Sequence, residues 1–278
     1  MAGRSHRGLR WLVAVVVCLV SSVALLTGSS PESTMTRPFR VIQMNLCDSG
    51  MAGCYTGRSV AAAAAVIRNE APDLVTLNEV CQQDVSALDR AMAARYPGSA
   101  VVSAFTAAGD RRTGGAYHCL NGQPYGIGLV ARLANRDGRH TMYSGLYPAQ
   151  DTRDPEERAW LCVYAPADFY ACTTHLADTS ASVALTQCSY LLRTAIPTIR
   201  DRGGYEPTVL GGDLNLRYRG SPDVRSCVPS GYLRDDDGGV QQIVATAEFV
   251  LSSRRSIGMD GTTDHPGLLV ALTIPRTG

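Results

Sequence analysis

Asparagine, glutamate, histidine and aspartate recur in this chain where short apolar runs stop. Asn45 closes VIQMN, Glu79 closes LVTLNE, His175 closes ACTTH, and Asp213 and Asn215 close TVLGGDLN. Asp264 and His265 stand just before the last apolar run. Each residue alone has an ordinary reading: a capped turn, an exposed carboxylate, a satisfied structural histidine. The stretch PTVLGGDLNLR (207–217) by itself reads as a strand ending in a turn, because Gly, Asp and Asn are common turn residues. Together the residues describe a chemistry. Asn45, Glu79 and Asp264 offer one amide and two carboxylates, the oxygen donors that a hard divalent cation takes. His175 and His265 can move protons near neutral pH. A site holding both kinds of group suits phosphate-ester hydrolysis.

Such residues need elements to deliver them. From Phe39 onward, short β-like runs alternate with helix-like stretches. FRVIQMNL reads as a strand, RSVAAAAAVIRNE as a helix, and APDLVTLNEV as a helix exit followed by a strand. QQDVSALDRAMAARY sets Val85, Leu88 and Met92 on one helical face. SAVVSAFT and YGIGLVAR read as strands on either side of the loop AAGDRRTGGAYHCLNGQP. After the polar loop YPAQDTRDPEER, RAWLCVYA and FYACTTHL form a hairpin around the turn APAD, which facing Cys162 with Cys172 would staple. Cys188, Leu191, Leu192, Ala195, Ile196 and Ile199 fall at helical spacing. QQIVATAEFVLSS and PGLLVALTI read as two closing strands, and residues 218–239 as a long loop. In α/β sheets, strand ends are where sites are built.

Composition bounds the rest. The 278 residues, 45% hydrophobic and 18% charged, describe a globular chain with one domain over 39–278. Residues 1–30 begin with three arginines and no acid, then run apolar, as a signal peptide or signal anchor does; 31–38 reads as a short linker. Cys18 lacks the small residue that precedes a lipidated cysteine. Without residues 1–30 the balance is 23 basic against 25 acidic residues, about −2, so the chain has no overall electrostatic footprint for polyanions. Every one of the 26 basic residues is Arg. Eight cysteines remain beyond the leader, at 47, 54, 81, 119, 162, 172, 188 and 227. An even count behind an export signal predicts four disulfides in a secreted protein, and no paired spacing suits zinc. Cys47 with Cys54 and Cys162 with Cys172 close short loops and are the favoured pairs.

The ordered series MNL, NEV, ERAWL, THL, GGDLN and TDHPGLLV resembles the deoxyribonuclease-I-like endonuclease/exonuclease/phosphatase superfamily, and looks closest to its secreted, Cys-rich actinobacterial members. The resemblance spans nearly all of residues 39–275. It implies an α/β fold of four layers, two packed mixed sheets flanked by helices, with a metal-dependent site at one end. Carried over residue by residue, Asn45 and Glu79 look like the metal-binding pair for Mg²⁺, or Mn²⁺ in its place, with Asp264 assisting. Asp213 and Asn215 resemble the pair that orients the attacking water and holds a phosphate oxygen. His265 resembles the general base, His175 the second histidine that stabilises the phosphoryl oxygens or protonates the leaving oxygen, and Arg158 a phosphate contact. Strict strand alternation would set Arg158 and His175 on opposite faces, so both reach one site only through a bulge or a bend.

Two departures stand out. Gln241 takes the approximate place of the family's aspartate, where its amide oxygen could accept a proton from His265 but could not stabilise an imidazolium as a carboxylate does. Asn78 stands before Glu79 where Gln is common in the family. The reading is a secreted, metal-dependent phosphodiester hydrolase acting as a monomer, with nucleic acid the first substrate. Membrane phospholipid, inositol phosphates and a catalytically impaired binding module on the same fold remain open.

Overall fold

The computed structural model describes residues 1–3 and 36–275. The leader expected over 1–30 lies outside the described residues apart from the first three, and the stretch expected as a linker is already strand from Thr36. In chain order the elements are β1 (Thr36–Asn45), α1 (Ser59–Glu70), β2 (Leu74–Cys81), α2 (Gln82–Arg95), β3 (Ala100–Ala107), the two-residue strands β4 (Gly109–Asp110) and β5 (Gly115–Ala116), and β6 (Tyr125–Leu133). β7 (Thr141–Leu146), the short β8 (Glu156–Glu157), β9 (Ala159–Ala165), β10 (Phe169–His175), α3 (Ala181–Tyr190) and α4 (Ile196–Arg202) follow. β11 (Thr208–Asp213), β12 (Tyr232–Asp236), β13 (Gln241–Thr246), β14 (Val250–Ile257) and β15 (Gly267–Pro275) complete the fold. No helix among the described residues is long and apolar enough to cross a membrane.

The strands form two large sheets, ordered β14-β15-β1-β2-β6-β3 and β12-β13-β11-β10-β9-β7, and a small one, β5-β4-β8. Each large sheet is mixed, with one parallel pair at its centre: β1 beside β2, and β10 beside β11. Helices α1 and α2 cover the first sheet through Val66, Ile67, Leu88 and Met92, packed on Ile42, Met44 and Leu77. Cys188, Leu192, Ile196 and Ile199 of the α3–α4 rod cover the second, against Tyr170, Leu210 and Val244. Phe39, Leu74, Leu129, Leu161, Phe169, Val209 and Leu272 fill the space between the sheets. Helix, sheet, sheet and helix make the four-layered α/β sandwich that the sequence predicts.

One pattern explains where the site sits. Residues two apart share a face of a strand, and the faces that meet between the sheets change character along their length. β1 presents Phe39 and Val41, then Gln43 and Asn45; β2 presents Leu74, then Thr76 and Asn78; β10 presents Phe169 and Ala171, then Thr173 and His175. In each case the polar half lies toward the carboxyl end. The two central parallel pairs therefore bring four strand ends of like polarity to one edge of the sandwich.

The structure also redraws several elements. QQIVATAEFVLSS is not one strand: it turns at Thr246–Phe249, so that β13 lies in the second sheet and β14 in the first, and Phe249 is buried between them. The long loop over 218–239 contains the edge strand β12, and TMYSGL is the opposite edge, β7. Gly211 and Gly212 are not turn residues but buried positions inside β11. A Cβ on Gly211 would run into Thr76 Oγ1 of the facing sheet, and one on Gly212 into the Thr174 carbonyl of the neighbouring strand. Close approach, rather than a turn, requires glycine at both.

All eight cysteines of the described residues are paired: Cys47–Cys54, Cys81–Cys119, Cys162–Cys172 and Cys188–Cys227. Both favoured pairs are among them, and Cys162 faces Cys172 across the β9–β10 hairpin. The two bridges left open by the sequence join residues 38 and 39 apart.

Candidate active site

A cleft of about 460 Å³ opens where the four strand ends meet, lined by Glu79, Arg158, His175, Asp213, Asn215, Asp264 and His265 among others. Asn45 lies buried beneath, bonded to two of them. The expected residues are thus brought together, and local backbone shows how. Strict alternation would point Asn78 inward and Glu79 toward the helices. Instead β2 bulges between Asn78 and Val80, and Glu79 takes the left-handed conformation at φ 54°. The bulge re-aims the carboxylate into the cleft.

Asn45 Nδ2 donates to Glu79 Oε1 at 2.7 Å and to Asp213 Oδ2 at 3.2 Å, while its Oδ1 accepts the Cys47 N–H at 3.1 Å. As placed, Asn45 presents nitrogen to the carboxylates, so an oxygen ligand from it, as expected for the metal pair, requires a half-turn of the amide. Burial pushes the Glu79 carboxyl up from its ordinary range, and the Asp213 and Asp264 carboxylates add to this against the Asn45 hydrogen bond. Glu79, Asp213 and Asp264 bring the oxygen donors that a divalent cation takes to one cleft, though their carboxylates do not all lie within 4.8 Å of one another; Glu79 and the more open Asp264, whose side chain is 56% exposed, are the candidates to hold one. Two other groupings, Cys47 and Cys54 with Asp264, and Cys81 with Asp48 and Asp84, contain only disulfide-bonded sulfur and so offer no thiolate.

Asp213 is 1% exposed and heavily bonded. Its Oδ2 accepts from Asn45 and, at 2.7 Å, from Gln241 Nε2; its Oδ1 accepts from the Asn215 N–H at 3.1 Å. His265 Nε2 lies 3.6 Å from the same Oδ2. This corrects the role expected for Gln241. Its oxygen accepts from Gln43 Nε2 at 2.9 Å and its nitrogen donates to Asp213, so it braces Asp213. The nearest carboxylate to His265 is Asp213 itself, with Asp264 Oδ1 at 3.9 Å from the same nitrogen.

Arg158 needs correction as well. It is 4% exposed, and its fork is already occupied: Nη2 donates to Asp154 and Asp178 at 3.0 Å each, and Nη1 lies 3.3 Å from Glu156 and 2.8 Å from His175 Nδ1. The guanidinium is thus held beside His175 with both Nη atoms engaged, and only its buried Nε is without a hydrogen-bond partner. Arg158 precedes β9, at the point where the chain leaves β8 and the small sheet. Because arginine only donates, Nδ1 of His175 accepts, and the ring proton sits on Nε2, 4.0 Å from Glu79 Oε1. Burial, with the charges of Arg158 and His265, holds the His175 pKa well below the ordinary value.

The sequence reading noted Asn78 only as a departure before Glu79 and gave no role to Gln43, Thr76, Tyr125 or Glu156. Asn78 cross-links the sheets: its Oδ1 accepts from Gln43 Nε2 and the Asp213 N–H at 2.7 Å each, and its Nδ2 donates to the Thr174 carbonyl at 2.9 Å. Thr76 Oγ1 donates to Gln43 Oε1 at 2.6 Å. Gln43 and Thr76 were visible as polar interruptions of VIQMN and LVTLN. Tyr125 and Glu156 line the cleft with no comparable signal; burial pushes the Glu156 carboxyl up to about 7, against the pull of Arg158.

Comparison with known proteins bears on the fold. An endonuclease/exonuclease/phosphatase family protein from Bacteroides thetaiotaomicron superposes with a TM-score of 0.60 at 13% identity, covering 87% of this chain and 100% of its own. The human nocturnin catalytic domain with bound sulfate gives 0.61 at 16% identity, covering 84% and 93%. D. rerio TDP2 in complex with a single-strand DNA product gives 0.54 at 16%, covering 84% and 98%. At these identities the likeness shows the fold. No sequence match was found among curated proteins. The model of the Endonuclease/Exonuclease/phosphatase family matches residues 47–265, more than three quarters of the sequence. With that match over a fold and a cleft of this kind, the chain belongs to the endonuclease/exonuclease/phosphatase family.

Proposed function

We propose that this protein is a secreted, divalent-metal-dependent phosphodiester hydrolase. The observation that carries the reading is the convergence of Glu79, Asp213, Asp264, His175 and His265 on one cleft from both sheets. Glu79 and Asp264 would hold Mg²⁺, or Mn²⁺, with Asn45 after its amide turns. A bound divalent cation supplies neutralisation of the phosphate and of the charge that develops on the departing oxygen. Asp213, held as an acceptor by three N–H donors, orients the attacking water and faces His265, which takes up the proton. His175, its proton fixed on Nε2 by Arg158, donates to a phosphoryl oxygen from the other side of the cleft. Four disulfides support an oxidising, extracellular setting. A polynucleotide is the first substrate to try, since TDP2 on the same fold holds a DNA product.

The test is hydrolysis of bis(p-nitrophenyl) phosphate, plasmid DNA and RNA by the oxidised protein with Mg²⁺ or Mn²⁺, beside EDTA, Glu79→Gln and His265→Ala. EDTA-sensitive turnover that both substitutions lower by at least ~10²-fold is expected. Absence of EDTA-sensitive turnover on every substrate would overturn the reading. Because burial, with the Asp213 and Asp264 carboxylates, raises the Glu79 pKa, Glu79→Gln is also expected to melt higher than the wild type in EDTA, and to lose most of the stabilisation that Mg²⁺ gives the wild type.

A further inference from the structure

The loop that leaves the cleft carries charge and an aromatic ring that hydrolysis does not use. After Asn215 the chain runs Leu216-Arg217-Tyr218-Arg219 and returns through Asp223, Val224 and Arg225 to Cys227. Leu216, Val224 and Cys227 are buried, and the Cys188–Cys227 bridge ties the loop to α3. The Val224 N–H donates to the Arg217 carbonyl at 3.2 Å, and the Arg219 and Arg225 N–H groups donate to the Asp223 carboxylate at 3.1 and 2.8 Å. So anchored, the loop leaves Tyr218 43% exposed. The guanidinium carbons of Arg219, Arg225 and Arg234 stand 5.1, 4.7 and 5.3 Å from the centre of its ring. Arg225 pairs with Asp223 and Arg234 with Asp236, but neither Arg217 nor Arg219 has an ion-pair partner among the described residues.

The cleft itself has the opposite character. Glu79, Glu156, Asp178, Asp213 and Asp264 line it, and its one arginine among the described residues, Arg158, is committed to acids. A long anion gains nothing from that wall, so attraction for one has to come from the rim. Tyr218 is three residues beyond Asn215, which puts their Cα atoms within about 11 Å of each other. That is about three nucleotide steps at ~3.4 Å. An exposed ring flanked in sequence by the unpaired Arg217 and Arg219 is what unpaired bases and their phosphates bind. A bilayer surface would call for exposed aliphatic side chains, and the segment 217–225 exposes none.

We propose that the 217–225 loop, with Arg234, is a docking surface for single-stranded polynucleotide next to the scissile phosphate. Tyr218 stacks on a base, and Arg217 and Arg219 take the flanking phosphates. The inference rests on the phosphodiesterase reading of the cleft and names its substrate class.

The test uses the full oxidised chain in EDTA, with binding of a fluorescein-labelled single-stranded 12-mer oligodeoxynucleotide followed by anisotropy. Tyr218→Leu is expected to weaken binding about 10-fold, and Tyr218→Phe, which keeps the ring, to bind as the wild type does. Replacing Arg217 and Arg219 together by Ala is expected to lower the slope of log Kd against log salt by about 1.4, two phosphate contacts at ~0.7 each. With metal restored, hydrolysis of bis(p-nitrophenyl) phosphate, too short to reach the loop, should be unchanged in all three variants. Unaltered Kd and salt slope in Tyr218→Leu and the double variant overturn the proposal. So does loss of binding to anionic phospholipid vesicles with oligonucleotide binding intact, which would assign the surface to membranes. If the wild type hydrolyses no ester, the reading of the cleft fails, while the anisotropy still decides the surface.

Discussion

Arg158 Nη1 lies 2.8 Å from Nδ1 of His175, and this contact fixes which face of the imidazole carries its proton. A donor-only partner leaves the ring neutral with hydrogen on Nε2. Arg158→Met should lower kcat by about 10²-fold, the usual cost of misplacing one donor to an oxyanion. It should also destabilise the protein by about 3–5 kcal/mol, because Asp154, Glu156 and Asp178 lose their common cation. His175→Gln, which keeps an N–H donor, should retain more activity than His175→Ala. Kinetics and urea unfolding of the three variants check this, and full activity in Arg158→Met would refute the positioning role.

Glu156 makes stability depend on pH in a defined direction. Its carboxyl is pushed from 4.5 up to about 7 by burial, so the folded protein binds a proton between those values that the unfolded chain does not. The stability this proton contributes is complete below pH 4.5 and is lost as pH rises through about 7. The gap corresponds to up to about 3 kcal/mol at ~1.4 kcal/mol per pH unit. Glu156→Gln should therefore match the wild type near pH 5 and exceed it at pH 8 when both are unfolded in urea.

Gly211 is a packing site for Thr76, and Gly211→Ala should cost about 1–3 kcal/mol through overpacking between the sheets. Thr76→Ala in the same chain removes the atoms that clash and should recover part of the loss. A double-mutant cycle measures the coupling; strictly additive effects would mean that the two positions do not meet.

The disulfides should separate stability from activity. Replacing Cys188 and Cys227 by Ser opens a 39-residue separation and should cost about 4 kcal/mol, against about 2 kcal/mol for the 7-residue separation of Cys47 and Cys54. The smaller bridge, however, begins two residues after Asn45, and Cys54 lines the cleft, so its loss should reduce kcat more. Thermal melts and turnover of the two double variants make the comparison.

Much of this protein is legible in its sequence for a local reason. Alternation and helical spacing are properties of a few neighbouring residues, so β1, α1, β2, α2 and the β9–β10 hairpin can be read directly from FRVIQMNL, RSVAAAAAVIRNE, LVTLNEV, QQDVSALDRAMAARY and RAWLCVYAPADFYACTTH. The polar residues that end these runs identify the candidate chemistry for the same reason. The separation of β13 from β14 escaped, because QQIVATAEFVLSS is β-like throughout and only the burial of Phe249 between the sheets marks the turn.

The set of elements and the chemical groups at their ends can therefore be read from residue order alone. Tertiary structure decided the partners. Gln43 meets Gln241 across 198 residues, and Asp213 meets Asn78 across 135. Whether Gln241 holds a histidine or an aspartate, whether Arg158 grips a phosphate or an imidazole, and whether Gly211 turns or packs are all set by how two sheets lie on each other. Periodicity says which face a side chain takes; only the apposed face says what it touches, and hydrogen bonds are formed by touching.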